Sequence, residues 1–417
     1  ADAVTLNGGT LAVGGFTGSG AQGNWTWNSP ITLATSTSSK LSEQIPGTAA
    51  ARSLTLTGAI TGSGNLTFEK TLMTSMNYIL QNLGTTAVAR TNVMGTGDIT
   101  VNGVTLTLQA GSTGNAMTHN NKINLIGGTL VSDDAVQTFA GNITLAGANT
   151  IQARWTGKNA ILGGTISDGA SAGSVTYSTA NNTDIIIYVN GNNNYTGGTT
   201  LGSGVVNSTI VVAGNANAFG TGTINSRGAQ LRAGTAGMVI PNPVSVANGG
   251  LRVGGSNNFT LAGTLTADNT ANRGLQNYGS AVVTLNNINC TSGAASSVSF
   301  DGGTFVVNGA ITGGGGGLRV QAGNLTLNGL NTYTGATTIT GGSRSGTGAI
   351  TASPVAMSGG SLLLPGGATT AGLTMSAGVT FTGTPTVVFA SVPTASTAYD
   401  VLNYGSGTVT GIENQRF

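Results

Sequence analysis

The chain has 417 residues, of which only 6 % are charged, against about 25 % in an ordinary soluble domain. Its 14 Lys and Arg nearly balance 12 Asp and Glu for a net charge of +2, and 39 % of the residues are hydrophobic. Disorder needs the opposite combination of low hydrophobicity and high net charge. Cations scattered singly exclude the dense basic face of a nucleic-acid binder, and no apolar run reaches the roughly 18 residues of a membrane helix.

The sequence opens Ala1-Asp2-Ala3-Val4, which suits a product trimmed by signal peptidase, so an extracellular or cell-surface location through a cleaved signal peptide is expected. Short alternating runs closed by Gly or Asn then recur along the chain. Examples are Val4-Thr-Leu6, Leu54-Thr-Leu56, Ile99-Thr-Val101, Ile143-Thr-Leu145, Val244-Ser-Val246, Leu325-Thr-Leu327 and Leu373-Thr-Met375. A period of two with Thr between apolar positions predicts strands with one buried face. Trp25 and Trp27 lie two apart, on one face of such a strand; they are read as capping a first turn or as a contact for a carbohydrate or a neighbouring subunit. Between Glu69 and Leu83 the spacing of Leu72, Met73, Met76, Ile79, Leu80 and Leu83 is helix-like.

Glycine supplies 70 residues without a collagen-like period. Asn7-Gly-Gly-Thr-Leu11, Ile126-Gly-Gly-Thr-Leu130, Leu162-Gly-Gly-Thr-Ile166, Asp301-Gly-Gly-Thr-Phe305 and Ser358-Gly-Gly-Ser-Leu362 each join two apolar strands through a tight corner. Such corners ask for positive φ and leave no room for a Cβ beside the next turn. Val101-Asn-Gly-Val-Thr-Leu106 reappears as Leu125-Ile-Gly-Gly-Thr-Leu130, a shift of 24 residues, inside the range that marks solenoids. The predicted fold is all-β, a right-handed parallel β-helix (β-solenoid) running continuously over 1–417. A cap or insertion is expected around 21–90 and a closing segment at 385–417. Stacked Asn and Thr should satisfy the corners without charge.

Two longer motifs carry a family resemblance. Asn194-Tyr-Thr-Gly-Gly-Thr-Thr-Leu201 and Thr332-Tyr-Thr-Gly-Ala-Thr-Thr-Ile339, with Gly214-Asn-Ala-Asn-Ala-Phe-Gly-Thr-Gly222 downstream of the first, resemble the autotransporter-associated β-strand repeat, or passenger-associated transport repeat. The resemblance implies an exported β-helical passenger of a bacterial surface protein. The translocator barrel of that plan, many strands of about ten residues, is not recognisable here.

Residues able to do chemistry are few. His119 stands in Thr118-His-Asn-Asn-Lys122 and is read as an exposed turn residue. Asp133-Asp134, with Arg154 about one turn later, is the best catalytic candidate; a solvated turn is the plainer reading. Cys290 is read as a buried filler, and Gly313 to Gly317 as a corner without the helix or Lys of a phosphate loop. No catalytic residue, cofactor or metal site is therefore expected, and the chain is read as not an enzyme. Trp25, Trp27, Tyr399 and Tyr404 are the candidate subunit or ligand contacts. The function expected is a fibre, sheath or surface layer built by self-association, or else a monomeric adhesin stalk binding a glycan or host surface. A β-helix lyase or hydrolase is a distant third. With few carboxylates to titrate, stability should change little between acid and neutral pH.

Overall fold

The computed structural model describes residues 2–13, 24–43, 52–81, 90–91, 93–109, 116–155, 157–179, 185–204, 209–246, 250–267, 273–290, 297–364, 374–389 and 409–410. Among them there is no helix, and every strand pairing is parallel. The chain is a β-solenoid. Its contacts divide it into two compact units, residues 1–222 and 223–417.

In the first unit most turns supply three short strands, one to each face; in two turns the first two strands run together as Ile143–Ala153 and Ile166–Thr179. Ile99–Asn102, Thr105–Gln109 and Met117–His119 form one turn; Ile123–Ile126, Thr129–Asp133 and Gln137–Phe139 lie beside them in the next. The registers Val101↔Leu125 and Leu106↔Leu130 reproduce the 24-residue shift read from the sequence. The second unit follows the same plan, with Val244–Val246, Leu251–Val253 and Phe259–Leu261 in one turn and Leu265–Ala267, Arg273–Asn277 and Val282–Leu285 in the next. Because the register keeps inward residues above inward residues, the core is a stack of apolar rows. Leu251, Leu275, Phe300, Val320 and Ile339 form one of them, and all five are buried.

The helix-like spacing does not make a helix over 69–81; Leu83 lies outside the described residues. Met76–Gln81 is a strand with strict in–out alternation, paired with Arg52–Leu56. Leu72, which completed the helical pattern, is half exposed in the preceding turn. Pairing on both sides along a neighbouring turn outweighs a spacing that merely coincided with 3.6. Residues 24–43 and 52–81, within the span expected to be a cap or insertion, form turns of the three-strand plan. Of the closing segment, Thr386–Phe389 and Val409–Thr410 pair with earlier turns; Tyr399 and Tyr404 lie outside the described residues.

Outside the tube, Thr100, Asn124 and Thr144 form a side-chain ladder, with Asn124 donating to Thr100 Oγ1 at 3.3 Å and Thr144 donating to Asn124 Oδ1 at 2.7 Å. At corners, buried asparagines replace the interrupted backbone pairing: Asn121 Nδ2 donates to the carbonyls of Gly95 and Gly97 in the preceding turn. The described residues hold three ion pairs, and Lys40–Glu69 and Lys122–Asp98 are exposed enough to contribute about 1 kcal/mol at most.

The Gly-Gly corners obey both expected rules, though not always together. Gly127 has φ 58°, whereas a Cβ on its neighbour Gly128 would lie 2.7 Å from the Val101 carbonyl oxygen. Gly128→Ala should therefore cost about 1 to 3 kcal/mol through overpacking. Gly9→Ala, where a Cβ meets nothing within 4 Å, should be near neutral. Urea denaturation of the two variants makes the comparison, and equal losses would refute the close-approach explanation.

Candidate functional site

The first unit gathers the acids and bases singled out in the sequence at the corner between its second and third faces. Gln109 pairs in register with Asp133, and Ser132 with Ala153, so Gln109, Asp133 and Arg154 occupy one outward row on successive turns. Arg154 Nη1 and Gln109 Nε2 both donate to Asp133 Oδ2, each at 2.9 Å. Asp133 is 1 % exposed and its Oδ1 accepts no hydrogen bond. The Asp133–Arg154 partnership read from sequence is thus formed, but Asp133 is not in a solvated turn. Asp134 follows with φ 63°, and burial, then the charge of Asp133, pushes its carboxyl above the usual range.

His119 is corrected more sharply. It is buried, on the inward side of Met117–His119, and its ring stacks on Phe139 at 5.1 Å. Gln137 Nε2 donates to the carbonyl oxygens of Leu108 and Asp133, at 2.5 and 3.2 Å. Its Oε1 therefore faces His119 Nε2, 3.0 Å away, which must be the protonated nitrogen. Nδ1 is left without a partner. The triplet Met117-Thr-His119 alternates like most strands here, and that was the signal for an inward histidine. Polarity masked it.

The arrangement chains Arg154, Asp133, Gln137 and His119 across the corner. General acid–base chemistry needs a group within about 3 Å of a substrate proton. Here Asp133 Oδ2 is engaged by Arg154 and Gln109, Oδ1 is buried, and His119 is covered. The hydrogen bonds tie two faces together. Among the described residues no three His, Cys, Asp or Glu converge as metal ligands would.

The remaining sequence candidates fall as follows. Trp25 and Trp27 are half-buried, in register with the buried Leu54 and Leu56, and Trp27 Nε1 donates to the Ser29 carbonyl at 2.9 Å. They overlie an inward row. Cys290 is buried in register with Ala267, and burial pushes its thiol up to about 11, the behaviour of a filler.

The repeated Tyr-Thr-Gly-x-Thr-Thr motif has a common internal geometry. Tyr195 and Tyr333 are fully buried, and each hydroxyl meets the Thr four residues on, Tyr195 with Thr199 and Tyr333 with Thr337, both at 2.5 Å. A buried phenol must keep a hydrogen-bond partner, and the second Thr of the motif supplies it. Sequence reasoning also missed Arg344, which stands fully buried in a row between Leu325 and Leu362. Its Nη2 donates to the Gly348 carbonyl at 2.5 Å, while Nε and Nη1 have no partner; burial lowers its pKa to about 10.

Comparison with family models, with curated proteins and with solved structures finds no match to this chain.

Two outcomes follow from the buried groups. Burial holds the folded His119 pKa at about 4, below its ordinary 6.5. The unfolded chain therefore takes up a proton first as pH falls. Stability is intact above pH 6.5 and declines by about 3 kcal/mol between 6.5 and 4, so the expected insensitivity to acid is revised. Urea midpoints measured across that range should slope for the native chain and flatten for His119→Gln; parallel slopes would contradict the assignment. Arg344→Met removes a buried, poorly paired charge and should stabilise by about 1 to 4 kcal/mol, read as a higher melting temperature. A lower one would mean the guanidinium is needed where it stands.

Proposed function

We propose that the chain is an exported structural element of a bacterial surface, a solenoid of the passenger-associated repeat type that builds a fibre, sheath or layer by associating with further copies of itself. The observation that carries this reading is the nature of the outer faces. They present ordered rows of Thr, Asn and Ser, such as Thr100–Asn124–Thr144 and Asn308–Asn328, with few charges between them. Flat, nearly neutral rows can pack side by side without like-charge repulsion, and the cluster at Asp133 is engaged in holding a corner.

A second reading, a surface stalk that binds a glycan, is favoured by one specific observation: large side chains held outward against polar partners, Tyr278 above all, which is 55 % exposed.

Electron microscopy and sedimentation of the purified chain test the first reading. Ordered filaments or sheets are expected at micromolar concentration. Because contacts between neutral rows are weakly screened, assembly should change little between 50 and 500 mM salt, at Debye lengths from roughly 14 down to 4 Å. Monodisperse particles at every concentration would rule self-assembly out.

A further inference from the structure

The outer surface of the second unit carries a cluster that its sequence positions, spread over 230–301, do not advertise. The registers Gln230↔Arg252, Arg252↔Gln276 and Gln276↔Asp301 set four polar residues in one outward row, one per turn. Two residues further along each strand the next row begins with Arg232, passes through Gly254 and reaches Tyr278, whose N–H donates to the Val253 carbonyl. Glycine in the middle position leaves a shallow notch, floored by the Gln230 side chain, with Arg232 on one side and Tyr278 on the other. At about 4.8 Å per turn the two flanks stand about 10 Å apart. A Cβ on Gly254 would meet the Gln230 amide at 2.4 Å, so that amide lies along the floor.

The walls of the notch are held in place. Tyr278 donates its hydroxyl to Gln276 Oε1 at 2.7 Å, and the Arg252 guanidinium carbon lies 4.4 Å from the centre of its ring. Gln276 Nε2 reaches Asp301 Oδ2 at 3.4 Å. Arg232 Nε donates to Gln230 Oε1 at 2.7 Å. An exposed aromatic ring fixed at its hydroxyl and by a neighbouring cation is a rigid platform, and the order is already present before any ligand arrives.

We propose that this notch binds an acidic polysaccharide, with a pyranose ring lying on Tyr278 and a uronate carboxylate meeting the Arg232 guanidinium. The inference rests on the second reading above and names its site and ligand class. Two arginines against one aspartate favour an anion. A guanidinium fork matches a planar carboxylate, and the remaining carboxylate lone pairs of the half-buried Asp301 can accept from ring hydroxyls. Two cations are too few for the multiple phosphate contacts on which nucleic-acid affinity depends.

Alginate, a uronate polymer, and dextran, a neutral one, are the probes, with binding to the full chain followed by calorimetry. Alginate should bind and dextran should not. Tyr278→Ala should weaken alginate binding about tenfold, and Arg232→Gln by a similar factor, with melting temperatures unchanged because both side chains lie at the surface. Equal alginate binding by the native chain and Tyr278→Ala would overturn the site. Binding of dextran alone would overturn the acidic class while leaving the glycan-binding reading standing. Binding of neither polymer would count against both.

Discussion

The hydrogen bonds running from each turn to the next are the constraint from which most of this protein follows. In a parallel stack every strand is paired on both sides, and the rise per turn is fixed near 4.8 Å whatever the side chains are. Inward positions must then fall above inward positions, which is why the core consists of rows and why two apolar residues suffice in a three-residue strand. The same spacing leaves no room at the corners. A Cβ on Gly164 would lie 2.1 Å from the Gly141 carbonyl oxygen even though neither glycine of that pair needs a left-handed backbone. High glycine and scarce charge are two results of one geometry.

Polar groups inside the stack show how firmly the rows are imposed. His119, Gln137 and Arg344 are buried because their register places them there, Tyr195 and Tyr333 are buried in the segments that precede a strand, and each settles its hydrogen bonds as the surroundings permit. The tyrosines carry their partner within the motif. Arg344 has only the Gly348 carbonyl, although the apolar neighbours Leu325 and Leu362 show what that row normally holds.

How much was legible in the sequence depended on the range of the signal. Alternation in Val101 and Leu125 and the glycine corners after them are local or one-turn signals, and both the fold and its 24-residue step could be read from them. The Asp133–Arg154 contact was readable for the same reason, being a single turn apart. The burial of Asp133 and His119 was not, since it depends on what crosses the corner from Gln137 and Gln109, and residue type argued for solvent. From Glu69 to Gln81 apolar residues of a strand and of the turn before it happened to mimic a helical stripe. The notch beside Tyr278 required three registers at once, which no composition or motif encodes.

Successive turns differ greatly in the length of chain they consume. Asp98 lies 33 residues beyond its partner Asn65, Asn124 lies 24 beyond Thr100, and Thr144 only 20 beyond Asn124, yet the stacked rows continue through all three steps. The corners therefore act as slack. Insertions and deletions there leave the spacing of the rungs untouched, and the entropy of a longer loop grows only slowly with its length. A scaffold of this kind can diversify its rim by splicing while its interior stays under selection, so that relatives could keep the architecture long after their sequences had ceased to resemble one another.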